Sequence, residues 1–436
     1  MESGRDVNPA TDCTGRVLVV SFRFPPHGGG GVHRVAAFTK YLPRFGWEPH
    51  VLTGPLDEVG SRHDPSLLGK IPEEVAITRS EYLSTRTAVK VLKRLRLLGT
   101  AQAVTPSFPM MDAGWILPGY REGMKLLEEG DFDLIYSSAY PMSSHIVAYL
   151  LKRKTDLPWV ADYRDEWSLR PGLQWPTDVH WSAASRIDEL VTESADRVIT
   201  TSPVHTENFR RAFACRGPDK YGTITNGFDE EDFLGEVPAG GILPDKGRLT
   251  LAHVGLFNGW RNADGLMAAV RRLIGAGRIP EERIELLFVG PTLGLSDPWL
   301  EERGVLRFVE PVPHGEAVDT MRAADVLLLL NVERHNILGK TFEYLAARRP
   351  ILALMPAGAT ADVVTTAGAG EVLRPDDVDA IARAVSASYD RWEEGRLEST
   401  AKAPVVESYS RRATTGELAA LFGELVERAR GRPTAV

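Results

Sequence analysis

The sequence predicts an α/β protein made of two doubly wound parallel-sheet domains of comparable size. Three observations predict it. Short apolar runs of strand length alternate with amphipathic stretches of helix length along the chain. The alternation pauses at GEVPAGGILPDK (235–246), rich in Gly and Pro, and then restarts. The 436 residues suit two or three domains at about 150 residues each, and no fixed-period repeat suggests another architecture.

The elements follow in order. RVLVVSF (Arg16–Phe22) reads as a buried strand, and a glycine loop comes next. VHRVAAFTKYLPRFG reads as a helix stopped at Gly46, and WEPHVLTG as the following strand. FDLIYSS, PWVADYRD, RVITTS and YGTITNG continue the strands of the first series. SHIVAYLLKRK, WSAASRIDELVTESA and HTENFRRAFA are the helices between them. The second series has strands RLTLAHVG, RIELLFVG, DVLLLLNV and PILALM. Its helices are ADGLMAAVRRLIGAG, EAVDTMRAA, KTFEYLAARR and DVDAIARAVSASYDRWEEG, and TTGELAALFGELVERAR closes the chain as one more. We therefore expect domains over 16–235 and 248–410, a linker over 236–247, a disordered tail over 1–15 and a C-terminal helix within 411–436. In doubly wound sheets, ligands bind at the carboxyl ends of the strands, and two such sheets facing each other would hold a site between them.

Composition narrows the function. The net charge of −8 argues against nucleic acid as the main partner. Two distant cysteines, Cys13 and Cys215, make neither a disulfide framework nor a zinc pattern, which suits a reducing cytosol. The opening residues lack the apolar core of a secretory signal, and the longest apolar runs are too short to span a bilayer. TAVKVLKRLRLLG (Thr87–Gly99) carries Lys90, Lys93, Arg94 and Arg96 among Val and Leu. It reads either as a helix with one solvated basic face or as a peripheral contact with the inner face of a membrane.

Four stretches could carry chemistry. FPPHGGGGVHRVAAF puts Gly28–Gly31 between a strand and a helix, where backbone N–H groups and the helix dipole favour an anion. It lacks the G-x-G-x-x-G spacing, so a floppy connector is the competing reading. His33 and Arg34 then sit where a cation opposes the dipole, either solvated or beside a phosphate. ADYRDEW crowds Asp162, Arg164, Asp165 and Trp167 at a strand end, as a carboxylate or phosphate contact or as an internal Asp–Arg pair. HVGLFNGWRNADGL repeats the strand, glycine, loop, helix order, with Arg261 beside the N-cap candidate Asn262. In NVERHNILGKTFEYLAARRP, Lys340 opens a helix and Glu343 lies one turn on. That pair reads as a phosphate and sugar-diol contact or as a plain surface ion pair. Asp229, Glu230, Glu231 and Asp232 have no metal-like spacing.

These stretches, in this order, resemble the GT-B glycosyltransferases, in particular the retaining family-4 group that uses nucleotide-sugar donors. The resemblance spans roughly 16–425. It implies two Rossmann-like domains facing a cleft, with the C-terminal helix crossing back to the first. It implies that Gly29, Gly30 and Gly31 approach the donor phosphates, and that Arg261 and Lys340 bind the diphosphate. Leu256 stands where the family has an Arg. Glu343 matches the second of two glutamates separated by seven, the ribose contact, while the first falls on His335, with Glu333 nearby as a partial replacement. Asn258, Gly339 and Thr341 complete the implied donor set. His33, Asp162, Arg164 and Asp165 form the implied acceptor side, with Asp165, Arg261 and Lys340 closest to the chemistry.

The implied reaction is hexosyl transfer from a nucleotide diphosphate-sugar to a hydroxyl or amine on a small-molecule or lipid-linked acceptor. No cofactor or metal is expected, and the setting is cytoplasmic. Closure over a linker near Gly240 and Gly241 would assemble the site. A nucleotide-sugar 2-epimerase, a phosphorylase or a non-catalytic nucleotide-sugar binding protein would share most of these features. An epimerase would release no nucleoside diphosphate, and a binding protein would bind donor without turnover.

Overall fold

The computed structural model describes residues 15–56, 64–83, 94–95, 113–170, 175, 177–214, 217–237, 247–258 and 261–431. The chain divides into two compact units, one running to Thr225 and resuming at Thr414, the other Asn226–Ala413. Residues 226–235, assigned by sequence to the first domain, group with the second. The cause is local: Phe228 N–H donates to the Tyr409 carbonyl at 3.2 Å and Arg411 N–H to the Phe228 carbonyl at 2.8 Å. Most of the expected linker, Gly240 and Gly241 included, lies outside the described residues, as do the first 14 residues and nearly all of the basic stretch Thr87–Gly99.

The first unit is a seven-stranded sheet in the order β3-β2-β1-β4-β5-β6-β7, with every pairing parallel. The strands are β1 (Gly15–Val20), β2 (Trp47–Thr53), β3 (Ala76–Arg79), β4 (Leu134–Ala139), β5 (Trp159–Tyr163), β6 (Arg197–Thr200) and β7 (Tyr221–Thr223). Helices α1 (Gly30–Tyr41), α2 (Ile116–Glu129), α3 (Ser143–Lys152), α4 (Asp178–Ser194) and α5 (Pro203–Ala212) connect them. The continuous apolar run of β1 has a simple reason. Leu18 and Val20 join a core with Trp115 and Trp159 on one face, while Val17 and Val19 join Phe38 and Phe422 on the other.

The second unit is a parallel six-stranded sheet in the order β10-β9-β8-β11-β12-β13. Its strands are β8 (Leu249–Val254), β9 (Ile284–Val289), β10 (Leu306–Val309), β11 (Val326–Leu330), β12 (Ile351–Leu354) and β13 (Gly370–Leu373). Its helices are α6 (Asp264–Gly275), α7 (Pro298–Glu302), α8 (His314–Ala323), α9 (Gly339–Ala346), α10 (Ala359–Ala367), α11 (Val378–Glu393) and α12 (Ala403–Ser408). The last helix, α13 (Arg411–Arg430), begins in this unit and packs into the first one from Thr414 onward. There Leu418, Phe422, Leu425 and Val426 share the core of Val17, Trp47 and Tyr136.

Each sheet reverses its strand order once, between β1 and β4 and between β8 and β11. Such switch points leave a crevice at the carboxyl ends of the strands, so the loops after β1 and β8 are placed to meet a ligand. No helix among the described residues is long and apolar enough to cross a membrane.

Candidate functional site

In the second unit, the switch point holds part of the predicted donor set, Asn258, Arg261 and Lys340, while Gly29, Gly30 and Gly31 lie in the first unit. β8 ends at Val254, and Gly255 follows with φ 143°, outside the range that side-chain-bearing residues adopt readily. A Cβ built there would lie 3.8 Å from the Lys340 stem, so the glycine lets that side chain lie across the end of β8. Arg261 comes back to the same place. Its backbone N–H donates to the Asn258 carbonyl at 2.9 Å, and its Nη1 reaches Asn258 Oδ1 at 3.4 Å. Its Nε is buried with no hydrogen-bond partner among the described residues, and burial lowers the guanidinium pKa. The N-cap of the next helix is Ala263 rather than the expected Asn262, although Asn262 Oδ1, one residue earlier, accepts from the Asp264 N–H at 2.8 Å.

Beyond β11, the loop to α9 is held by its own polar groups. Asn331 and Glu333 exchange side-chain and backbone bonds, and Asn336 Nδ2 donates to Glu333 Oε2 at 3.0 Å. Glu333 therefore braces the loop, and His335 is half-buried beside it. Gly339 opens α9 exposed, and a methyl group added to its Cα would meet no described atom within 4 Å. Thr341 is fully buried, and its Oγ1 has no partner among the described residues. Lys340 Nζ pairs with Glu343 Oε2 at 2.5 Å. Two cations and the start of α9 thus lie near the carboxyl end of β8, where Arg261 Nε is buried and unpartnered among the described residues. Leaving a buried donor unmade costs about 1–3 kcal/mol, a cost that an anionic ligand here would offset.

In the first unit, the glycine loop has a residue-level explanation. Gly29 has φ 112°, and α1 starts at Gly30. A Cβ at Gly31 would collide with the Arg164 guanidinium, so the glycine makes room for that group. Arg164 donates to the carbonyls of Ala139 and Tyr140 at the end of β4. Its Nη1 is buried without a partner among the described residues, and burial lowers its pKa. The start of α1 and an incompletely satisfied Arg therefore meet at this switch point as well. His33 is half-buried in the first turn of α1, and Asp165 is exposed.

Two sequence expectations are corrected here. Arg34 is neither solvated nor a phosphate contact: it is 5% exposed and forms a two-pronged pair with Asp162 at 2.9 and 3.0 Å. It also donates to the carbonyls of Ile224 and Thr225. Asp162, expected at the acceptor, is fully buried and accepts from Tyr136 Oη at 2.6 Å and Ser138 Oγ at 3.0 Å besides Arg34. Burial works to raise its pKa, but the Arg34 charge and these bonds prevail and hold it below the usual carboxylate range. Asp162 ties β4, β5 and α1 together, and the internal Asp–Arg pair exists with Arg34 rather than Arg164.

Two family models match the chain, a glycosyl transferase 4-like domain over residues 29–227 and glycosyl transferases group 1 over 248–391. The chain is a GT-B glycosyltransferase of the family 4-like group. Among solved structures it is similar to a sucrose-phosphate synthase from Thermosynechococcus elongatus, at 18% identity and TM-score 0.61, covering 95% of this chain and 100% of that one. It is also similar to Anabaena HepE in complex with UDP and glucose, at 13% identity and TM-score 0.59, covering 94% and 100%. At these identities the likeness concerns the fold. A curated relative, D-inositol 3-phosphate glycosyltransferase 2 from Catenulispora acidiphila, is 28% identical over 220 residues, 46% of this chain and 50% of the relative. The match thus spans about half the length of that relative.

Two residues packed around this candidate site are not apparent from sequence. His253, near the end of β8, is buried with Nδ1 3.0 Å from the Leu328 carbonyl. Burial, aided by the charges of Arg261 and Lys340, lowers its pKa to about 4, so it stays neutral beneath two cations. Tyr344 Oη accepts from the Val254 N–H at 2.8 Å and fixes α9 to the end of β8. The available signal is a polar residue inside the apolar run LTLAHV and a Tyr next to the site Glu343. Among the described residues, no group of three or more His, Cys, Asp or Glu could hold a metal ion.

Proposed function

We propose that this glycosyltransferase moves a hexosyl group from a nucleoside diphosphate-sugar to a hydroxyl or amine acceptor, with retained anomeric configuration and with cations rather than a metal supporting the leaving group. The observation that carries the reading is the convergence of Arg261 and Lys340 on the carboxyl end of β8, with Arg261 Nε buried and unpartnered among the described residues. The UDP and glucose held by Anabaena HepE support the donor class.

In the reaction, the bond from the anomeric carbon to the diphosphate oxygen breaks, and the acceptor oxygen or nitrogen bonds to that carbon. Negative charge grows on the departing diphosphate. Arg261, Lys340 and the N–H groups opening α9 stabilise that charge more than the ground state, which lowers the barrier. The departing phosphate oxygen takes the acceptor proton, so no separate base is required. Glu343 receives the ribose hydroxyls, and His335, Asn258, Gly339 and Thr341 line the donor. Gly29, Gly30 and Gly31 offer a close backbone approach. His33, Arg164 and exposed Asp165 take the acceptor, a secondary metabolite or an envelope glycan precursor, in a cytoplasmic setting.

A thermal-shift screen of the full chain against nucleoside diphosphates and their sugars tests the reading. At least one diphosphate family is expected to raise the melting midpoint, and its sugar is then expected to turn over with an acceptor panel. A flat response to every diphosphate would remove the proposal. Donor binding without turnover would favour a binding protein.

A further inference from the structure

The Lys340–Glu343 pair joins the two side chains to which the proposed donor site gives opposite tasks. Lys340 Nζ and Glu343 Oε2 are 2.5 Å apart, with side chains 32% and 18% exposed. The Lys340 stem lies over Gly255, which keeps its ammonium group at the end of β8. The pair spans one turn of α9, so neither residue needs backbone movement to make or break it.

We propose that Glu343 is a specificity gate that rejects diphosphates lacking a ribose, an inference that rests on the donor reading above. The Glu343 carboxylate occupies the place on Lys340 that a phosphate oxygen would take. A bare pyrophosphate gains Lys340 only by stripping it from Glu343. It then leaves a mostly buried carboxylate unpaired beside a second anion, and both the lost pair and the new repulsion oppose binding. A nucleoside diphosphate meets the same cost, but its ribose diol donates two hydrogen bonds to the freed carboxylate. The gate thus acts by penalising the wrong ligand rather than by adding a contact to the right one. It couples recognition of the phosphates to recognition of the sugar ring, so that inorganic pyrophosphate does not occupy the site.

Calorimetry on the full chain tests this with inorganic pyrophosphate and the best nucleoside diphosphate as probes. In Glu343→Gln, pyrophosphate is expected to bind about three-fold or more tighter, and the nucleoside diphosphate more weakly, so the preference between them falls about ten-fold. Glu343→Asp keeps the charge and is expected to keep pyrophosphate weak. Melting midpoints of both variants check that they are folded. Pyrophosphate affinity that is unchanged or weaker in folded Glu343→Gln, or equally tightened in Glu343→Asp, would overturn the gate while leaving the donor reading intact. Wild-type protein with no preference for the nucleoside diphosphate over pyrophosphate would overturn both.

Discussion

Glu166 is the residue where burial and charge conflict most openly. It is 4% exposed, accepts from Asn208 Nδ2 at 2.7 Å, and lies 4.0 Å from His205. Burial, with added repulsion from Asp165 and Asp188, lifts its pKa from 4.5 to about 7. The folded chain therefore holds a proton that the unfolded chain releases between those two values. Glu166 costs nothing below pH 4.5, and stability is lost as pH rises through about 7. That loss is about 2–3 kcal/mol at pH 8. Glu166→Gln should recover most of it, so its melting midpoint should exceed wild type at pH 8 and converge with it near pH 5. An equal difference at both pH values would show that the group does not titrate this way. In the same segment, the strand end and its crowd of charges are legible in the sequence. The inward turn of Asp162 to Arg34 is not, because the two are 128 residues apart and only the β1–β4–β5 order brings them together. Gly31 is the converse case. The run of glycines is plain, but its partner, the Arg164 guanidinium, is set by tertiary packing.

At the scale of elements, α13 shows what holds the chain end to the first unit. Phe422 is fully buried, with its ring 5.3 Å from Trp47 and 5.8 Å from Tyr136. Removing it leaves a cavity against two aromatic rings, and Phe422→Ala should destabilise the first unit by about 3–5 kcal/mol. Denaturant unfolding followed by tryptophan fluorescence would read this, and a loss under about 1 kcal/mol would mean the helix contributes little. This helix is legible because its apolar positions recur at helical spacing. So are the central strands, buried on both faces and hence continuously apolar. Three of the four edge strands are not: AITR, LRFV and GEVL form β3, β10 and β13, four residues each, with partly exposed and charged positions. Gly370 in β13 even reads as a breaker, yet a Cβ there would run into the Ile351 carbonyl, so the close strand approach demands glycine. Helix α2 hides behind Pro118, Gly119 and Gly123. Its Gly123 lets Leu151 and Leu52 approach to 2.9 and 3.1 Å of the missing Cβ. Propensity gives way to packing at these places.

At the scale of the whole chain, each unit by itself brings an arginine with an unpartnered buried nitrogen, among the described residues, to its own switch point: Arg164 in the first and Arg261 in the second. The order of motifs along the sequence is enough to place both loops, since doubly wound topology fixes which loops lie at a switch point. The neutral His253 and the bracing Tyr344 are not legible, because their roles depend on neighbours from β11 and β8 rather than on local pattern. The proposed donor site rests on Arg261 and Lys340 as diphosphate ligands, each making hydrogen bonds to a charged group worth about 1.5–3 kcal/mol. Calorimetric titration of wild type, Arg261→Ala and Lys340→Ala with a nucleoside diphosphate tests this most directly. Saturable binding to wild type is expected, with a loss of about ten-fold or more in each variant. Equal affinity in all three, with the variants folded, would refute the assignment of these two cations to the diphosphate.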